Sequence, residues 1–286
     1  MRRKLSYCLA AALMLILLAG CGSPSATQTG SSVPESQAAE TDPVLSTPEP
    51  TPTPLPEPTP TPLPWPVYEF GVPVEEIEPT EDDSIFENAV FLGDSRTEGL
   101  ELFGGLKYGT FYWARGMTVF RVDDEKYKIV SIDDEDLTVM DALSKKSFDA
   151  VYIMIGVNEL GYSAESYESG LSTLVDKVIG AQPEAVVYLQ IMPPLNDAMC
   201  RANSLAYYIN NDNLQKFNEA IQRVAAEKKV ALLNTAEVYT GEDGQLPAEL
   251  ANDGCHFAYK AYSLWADYLR SHIIDRERYF YSRELA

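Results

Sequence analysis

The sequence predicts an α/β sandwich built on a mainly parallel sheet, and two patterns carry that expectation. Apolar runs at Ala89–Leu92, Ala150–Ile155, Ala185–Ile191 and Val230–Leu233 each end in glycine or a polar turn. Helix-period segments, Ser163–Ile179, Tyr207–Lys228 and Ala258–Ile274, lie between or after them. Strands alternating with helices build parallel sheets. Near-continuous apolar strands fit a sheet covered on both faces.

The chain begins with a segment that does not belong to this fold. Arg2, Arg3 and Lys4 precede an apolar run of 11 residues, Leu9 to Ala19. Such a run is too short for a typical membrane-spanning helix and suits the core of a signal peptide. It closes on Leu18-Ala19-Gly20-Cys21, which resembles a bacterial lipobox. That resemblance implies a signal peptide over 1–20 and lipidation of Cys21. The expected location is the extracellular face of the bacterial cell membrane, with the lipid as anchor. Residues 21–66 read as linker, first rich in Ser, Thr, Gln and Ala. They then carry 11 prolines between Pro43 and Pro66. Alternating prolines favour extended polyproline II, here with a reach on the order of 70 Å. A folded domain is expected over 67–286, with 67–87 as an acidic arm packed on it.

Charge narrows the partners. Of the 286 residues 43 are acidic and 22 basic, a net charge of −21. A surface of that sign is unsuited to nucleic acid, which is excluded as a partner. Residues 118–122 and 127–131 are read as a β-hairpin turning at Asp123-Asp124-Glu125. With the second acidic run, Asp133–Asp136, this is taken as a pair of solvated turns, since EF-hand spacing is missing.

Candidate chemistry collects where the apolar runs end. After Ala89–Leu92 comes Gly93-Asp94-Ser95, followed by a segment able to start a helix. A serine at a strand-to-helix turn sits over a helix N-terminus and can be a nucleophile if a base reaches it. After Ala150–Ile155 comes Gly156-Val157-Asn158-Glu159, where Gly156 allows a tight turn and Asn158 offers an amide donor over the same sheet edge. The chain has two histidines, His256 and His272. Asp253 and His256 lie three apart, so the carboxylate can hold one ring nitrogen and leave the other facing a serine. His272 is read as a helix-end or surface residue, and Asp94 as a turn residue.

With these residues in view, the chain resembles the SGNH (GDSL-type) hydrolases over about residues 86–276. Gly93-Asp94-Ser95 matches the family's first block, Gly116 its second, Gly156-x-Asn158 its third and Asp253-x-x-His256 its fourth. The resemblance implies a flavodoxin-like three-layer α/β/α sandwich and an ester hydrolase with Ser95 as nucleophile, His256 as base and Asp253 as its orienting acid. The oxyanion hole would comprise the amides of Ser95 and Gly116 and the Asn158 side chain, with no metal or cofactor. Two departures stand out: Arg96 beside the serine, expected to alter the pocket rim, and Glu159 where the family pattern has Asp, expected to matter little.

The expected substrate is a small acyl ester, O-acetyl among the candidates, on envelope or dietary carbohydrate. An O-acyltransferase on the same triad and a non-catalytic envelope-binding lipoprotein are the alternatives. Loops around 104–114 and 193–210 are expected to set the pocket, and Tyr108, Tyr112, Trp113, Tyr162, Tyr207 and Tyr208 are the candidate sugar-stacking aromatics. Cys200 and Cys255 are expected near the site's rim, as separate thiols in preference to a disulfide. Oligomeric state is left open.

Overall fold

The structure is a computed structural model that describes residues 66–286 except Glu81. The leader, Cys21 and the linker to residue 65 lie outside the described residues. The strands are β1 (Ala89–Gly93), β2 (Thr110–Trp113), β3 (Val130–Ile132), β4 (Glu135–Leu137), β5 (Ala150–Met154), β6 (Val186–Gln190) and β7 (Ala231–Leu233). The helices are α1 (Ser95–Phe103), α2 (Val139–Lys145), α3 (Ala164–Ala181), α4 (Asp197–Ala202), α5 (Asn211–Lys228), α6 (Tyr262–Ser271) and α7 (Arg276–Leu285).

Five strands form one sheet in the order β2-β1-β5-β6-β7, every neighbouring pair parallel. This is the flavodoxin-like order, and β1 and β6 are buried along their whole length. The chain leaves β1 for β2 on one side and then crosses to β5 on the other. That reversal opens a crevice beyond the carboxyl ends of β1 and β5, where ligands bind in open α/β sheets. Right-handed crossovers put α1 on the opposite face from α3 and α5. Accordingly α1 packs on α6, and α3 packs on α5.

Local chemistry sets the helix limits. Ser163 accepts from the Ser166 amide and starts α3, whose apolar stripe Leu171, Leu174, Val175 and Val178 faces inward. Tyr167 of α3 stacks on Phe217 of α5, centroids 4.2 Å apart. The arm lies along β7: Pro73 bridges Leu232 in parallel fashion, and the Val74 amide donates to the Leu232 carbonyl at 2.8 Å.

Several expectations shift. The hairpin pairs Val130–Ile132 with Glu135–Leu137, so its turn is Asp133-Asp134 and residues 118–122 form turns instead of a strand. Both turn residues have positive φ, 51° and 65°, a conformation aspartate tolerates better than branched side chains. The segment expected to be helical from Tyr207 begins at Asn211, because Asn210 caps it by accepting from the Asn213 amide. The segment from Ala258 opens as a 3-10 turn, Tyr259–Ala261, before α6. Strand β2 and helices α2, α4 and α7 were not read from sequence.

Candidate active site

Ser95 is the first residue of α1, directly after β1 and the capping residue Asp94. Its backbone amide therefore stands outside the intrahelical ladder, available to an anion. The Ser95 hydroxyl lies 2.8 Å from Nε2 of His256, and Nδ1 of His256 lies 2.8 Å from Oδ2 of Asp253. The other oxygen of Asp253 accepts from the amides of Cys255 and His256, at 2.8 and 2.7 Å. One carboxylate thus shapes its own turn and orients the ring. Burial pushes the Asp253 carboxyl up, but the bonds from His256 and Cys255 outweigh it and hold it below the usual range. It stays ionised beside an imidazole that must take up a proton.

Gly116 and Asn158 line the same groove as Ser95 and His256, a space of about 710 Å³. Gly116 lies in a turn closed by the Met117 amide donating to the Ala114 carbonyl at 3.0 Å. Asn158 follows Gly156, whose φ of 145° suits glycine and whose missing Cβ leaves room for the Tyr167 hydroxyl. The Asn158 amide nitrogen donates to Oδ2 of Asp94 at 3.1 Å and to the Met117 carbonyl at 3.0 Å. An oxyanion beside Ser95 has to share or displace one of these bonds.

Both departures from the family pattern prove structural. Arg96 is 1% exposed and does not reach the rim. The start of α1 turns it inward, where Nε and Nη2 donate to the Cys255 carbonyl at 3.1 and 2.9 Å and Nη1 to the Pro193 carbonyl at 3.4 Å. Its guanidinium also lies 5.2 Å from the Phe257 ring centroid. The neighbour of the candidate nucleophile is therefore tied to the neighbour of the candidate base. Glu159 is fully buried. Its Oε1 accepts from the Val119 amide at 2.6 Å, while Oε2 has no partner among the described residues. Desolvation raises its carboxyl to about 8, with the nearby Asp94 charge adding to the rise. Asn158 and Glu159 thus grip positions 117 and 119, just behind Gly116.

Asp94 is the turn residue expected: it caps α1 by accepting from the Arg96 amide at 2.9 Å. His272 ends α6 as expected but is buried at 6% exposure, its ring stacked on Tyr268 with centroids 3.8 Å apart. Cys200 and Cys255 are free thiols, buried beneath the site and not at its rim. Burial pushes both up, Cys200 to about 11, so neither is a ready thiolate. Sequence reasoning misplaced the groove's walls. Its lining comes from α1, Arg115, Gly116, Asn158 and residues 252–262, not from 104–114 or 193–210. None of the six tyrosine and tryptophan candidates lines it; the aromatics there are Phe103, Phe257, Tyr259 and Tyr262. Helical spacing counted from Ser95 would have found Phe103.

A chain with this sheet order and this serine–histidine–aspartate geometry is built as an ester hydrolase. It belongs to the GDSL-like lipase/acylhydrolase family, whose family model matches residues 91–264. Among solved structures it is similar to a protein of Streptococcus pneumonia provisionally described as a platelet activating factor. The identity is 21% and the TM-score 0.52, over 65% of this chain and 84% of that one. A GDSL-like lipase of Bacteroides thetaiotaomicron is 16% identical with a TM-score of 0.48, over 65% of this chain and 87% of that one. At 21% identity the likeness to the first is one of fold. No curated protein matches the chain by sequence.

Arg96→Ala cuts the link between the two turns and is expected to lower kcat on p-nitrophenyl acetate about 100-fold, as a misplacement near 1 Å does, with a smaller change in KM. Unaltered kcat in a folded variant would count against the link. Glu159 binds its proton more tightly folded than unfolded, so its contribution to stability is full below about 4.5 and is lost as pH rises through about 8. Glu159→Gln removes that loss. Melting temperatures of the two proteins across this range should diverge in the variant's favour as pH rises.

Proposed function

We propose that the chain is a cell-surface serine esterase that hydrolyses small acyl esters, O-acetyl among them, on envelope or dietary carbohydrate. The observation that carries this reading is the continuous relay from the Ser95 hydroxyl through His256 to Asp253, with both contacts at 2.8 Å, opening on a groove. Ser95 Oγ attacks the ester carbonyl carbon as His256 Nε2 takes its proton. Asp253 stabilises the imidazolium. The carbonyl oxygen, now negative, is held by the amides of Ser95 and Gly116 and by Asn158. His256 then gives the proton to the alcohol oxygen, the carbon–oxygen bond breaks, and the acyl group stays on Ser95. Water, deprotonated by His256, releases it as the acid, and Ser95 regains its proton.

The surface location rests on the leader: a basic start, an 11-residue apolar run and Leu18-Ala19-Gly20-Cys21. In this reading Cys21 carries the lipid and the proline-rich linker spaces the hydrolase from the membrane.

Acetate release by purified protein is the direct assay. Ser95→Ala and His256→Ala should each lower kcat by at least about 10⁴-fold, and Asn158→Ala by roughly 100- to 1,000-fold. Full turnover in either triad variant would refute the mechanism. In bacteria fed a labelled fatty acid, the wild-type chain should take up label and Cys21→Ser should not; equal labelling of both would reject Cys21 as the anchor.

A further inference from the structure

The groove has a direction. Ser95, Glu98, Gly99, Leu102 and Phe103 all line it, at positions i, i+3, i+4, i+7 and i+8 of α1. They form one stripe of the helix, so the floor runs about 12 Å from the serine along α1. The facing wall belongs to the segment that carries His256, through Phe257, Tyr259 and Tyr262. Floor and wall meet where the Tyr262 ring lies against Gly99: a Cβ there would come within 2.0 Å of Tyr262 Cζ. Gly116 and Asn158 are on residues outside both of these segments.

This division separates the two halves of an ester. The carbonyl oxygen belongs with Gly116 and Asn158. The alcohol oxygen must come within reach of the proton on His256, so the alcohol lies along the wall that His256 begins. At the far end of that path the groove is aromatic and open. Leu102, Phe103 and Tyr259 are 59%, 50% and 61% exposed, and the Phe103 and Tyr259 rings lie 6.4 Å apart. Apolar side chains left bare together mark a binding surface. Beside them stands a polar edge, the Glu98–Arg115 pair with its bonds of 2.6 and 2.7 Å, and Asn252.

We propose that this shelf is the alcohol subsite and that it takes a sugar ring. The proposal rests on the reading of Ser95 and His256 as nucleophile and base. A fatty chain gains affinity in proportion to the apolar area it removes from water, which calls for an enclosing tunnel. A half-exposed shelf covers one side only. A pyranose ring has one carbon–hydrogen face for the aromatic rings and a rim of hydroxyls for water, Asn252 and the Glu98–Arg115 pair.

The test compares three substrates on wild type, Phe103→Ala, Tyr259→Ala and Tyr259→Phe: methyl acetate, an acetylated methyl pyranoside and p-nitrophenyl octanoate. The quantity read is the ratio of kcat/KM on the acetylated pyranoside to that on methyl acetate. It should fall about tenfold in each alanine variant, mainly through KM, and be kept in Tyr259→Phe. An unchanged ratio overturns the subsite, and so does a loss confined to the octanoate, which would make the shelf an acyl site. Wild type that hydrolyses methyl acetate but not the acetylated pyranoside defeats the sugar and leaves the esterase standing. Wild type that hydrolyses none of the three defeats the esterase reading itself.

Discussion

A buried cation holds this site together. The Arg96 guanidinium satisfies its charge with carbonyl oxygens and a ring face, and the oxygens belong to segments far away in sequence. Hydrogen bonds to a charged donor are roughly twice as strong as neutral ones, and burial makes their loss costly. Among the described residues, the segment carrying Asp253 and His256 has no sheet partner beyond a single bridge within itself, Ala251 to Phe257. Arg96 and the Tyr262 ring against Gly99 hold it to α1, and the Asn196 backbone amide, donating to the Gly254 carbonyl at 2.8 Å, ties it to the start of α4. Fix these and the distance from serine to imidazole follows.

The opposite side of the site also uses a buried polar side chain, here an acid. Glu159 is a buried carboxyl that grips a backbone amide, and its raised affinity for a proton keeps it neutral in the interior. Asp94 sits between the two systems. It caps α1 with one oxygen and accepts from Asn158 with the other, and burial raises its carboxyl as well. Apart from the Asp94–Asn158 bond, the segments that meet at the crevice are joined by side chains reaching backbone atoms. Such contacts fix position without demanding a particular side chain opposite.

Much of this was legible in the sequence because the strands are apolar throughout and stop abruptly. Ala89–Leu92 ending in Gly93 and Ala150–Ile155 ending in Gly156 leave little choice of register, and the residues after each glycine fall at the crevice. Asp253 and His256 were readable because one turn joins them. What escaped notice depends on side-chain direction. Arg96 looked like a rim residue because a charged side chain is usually solvated, and only the tertiary carbonyls explain its burial. Leu102 and Phe103 carry no motif that marks them in the sequence, yet they lie on the stripe that begins at Ser95 and continue it into solvent. The hairpin slipped because its strands are three residues each and a solvated turn constrains them weakly.

The arm along β7 has a consequence for how the domain can be cut. β7 is the last strand of the sheet, only three residues long, and Pro73 and Val74 cover its outer side. A fragment beginning at Ser84 would keep Ser95, Gly116, Asn158, Asp253 and His256. It would also bare a strand edge whose neighbours Val230 to Leu233 are fully apolar and buried. Uncovered edges of that kind recruit other chains. Pro73 and Val74 thus guard the sheet against pairing with a second copy of itself.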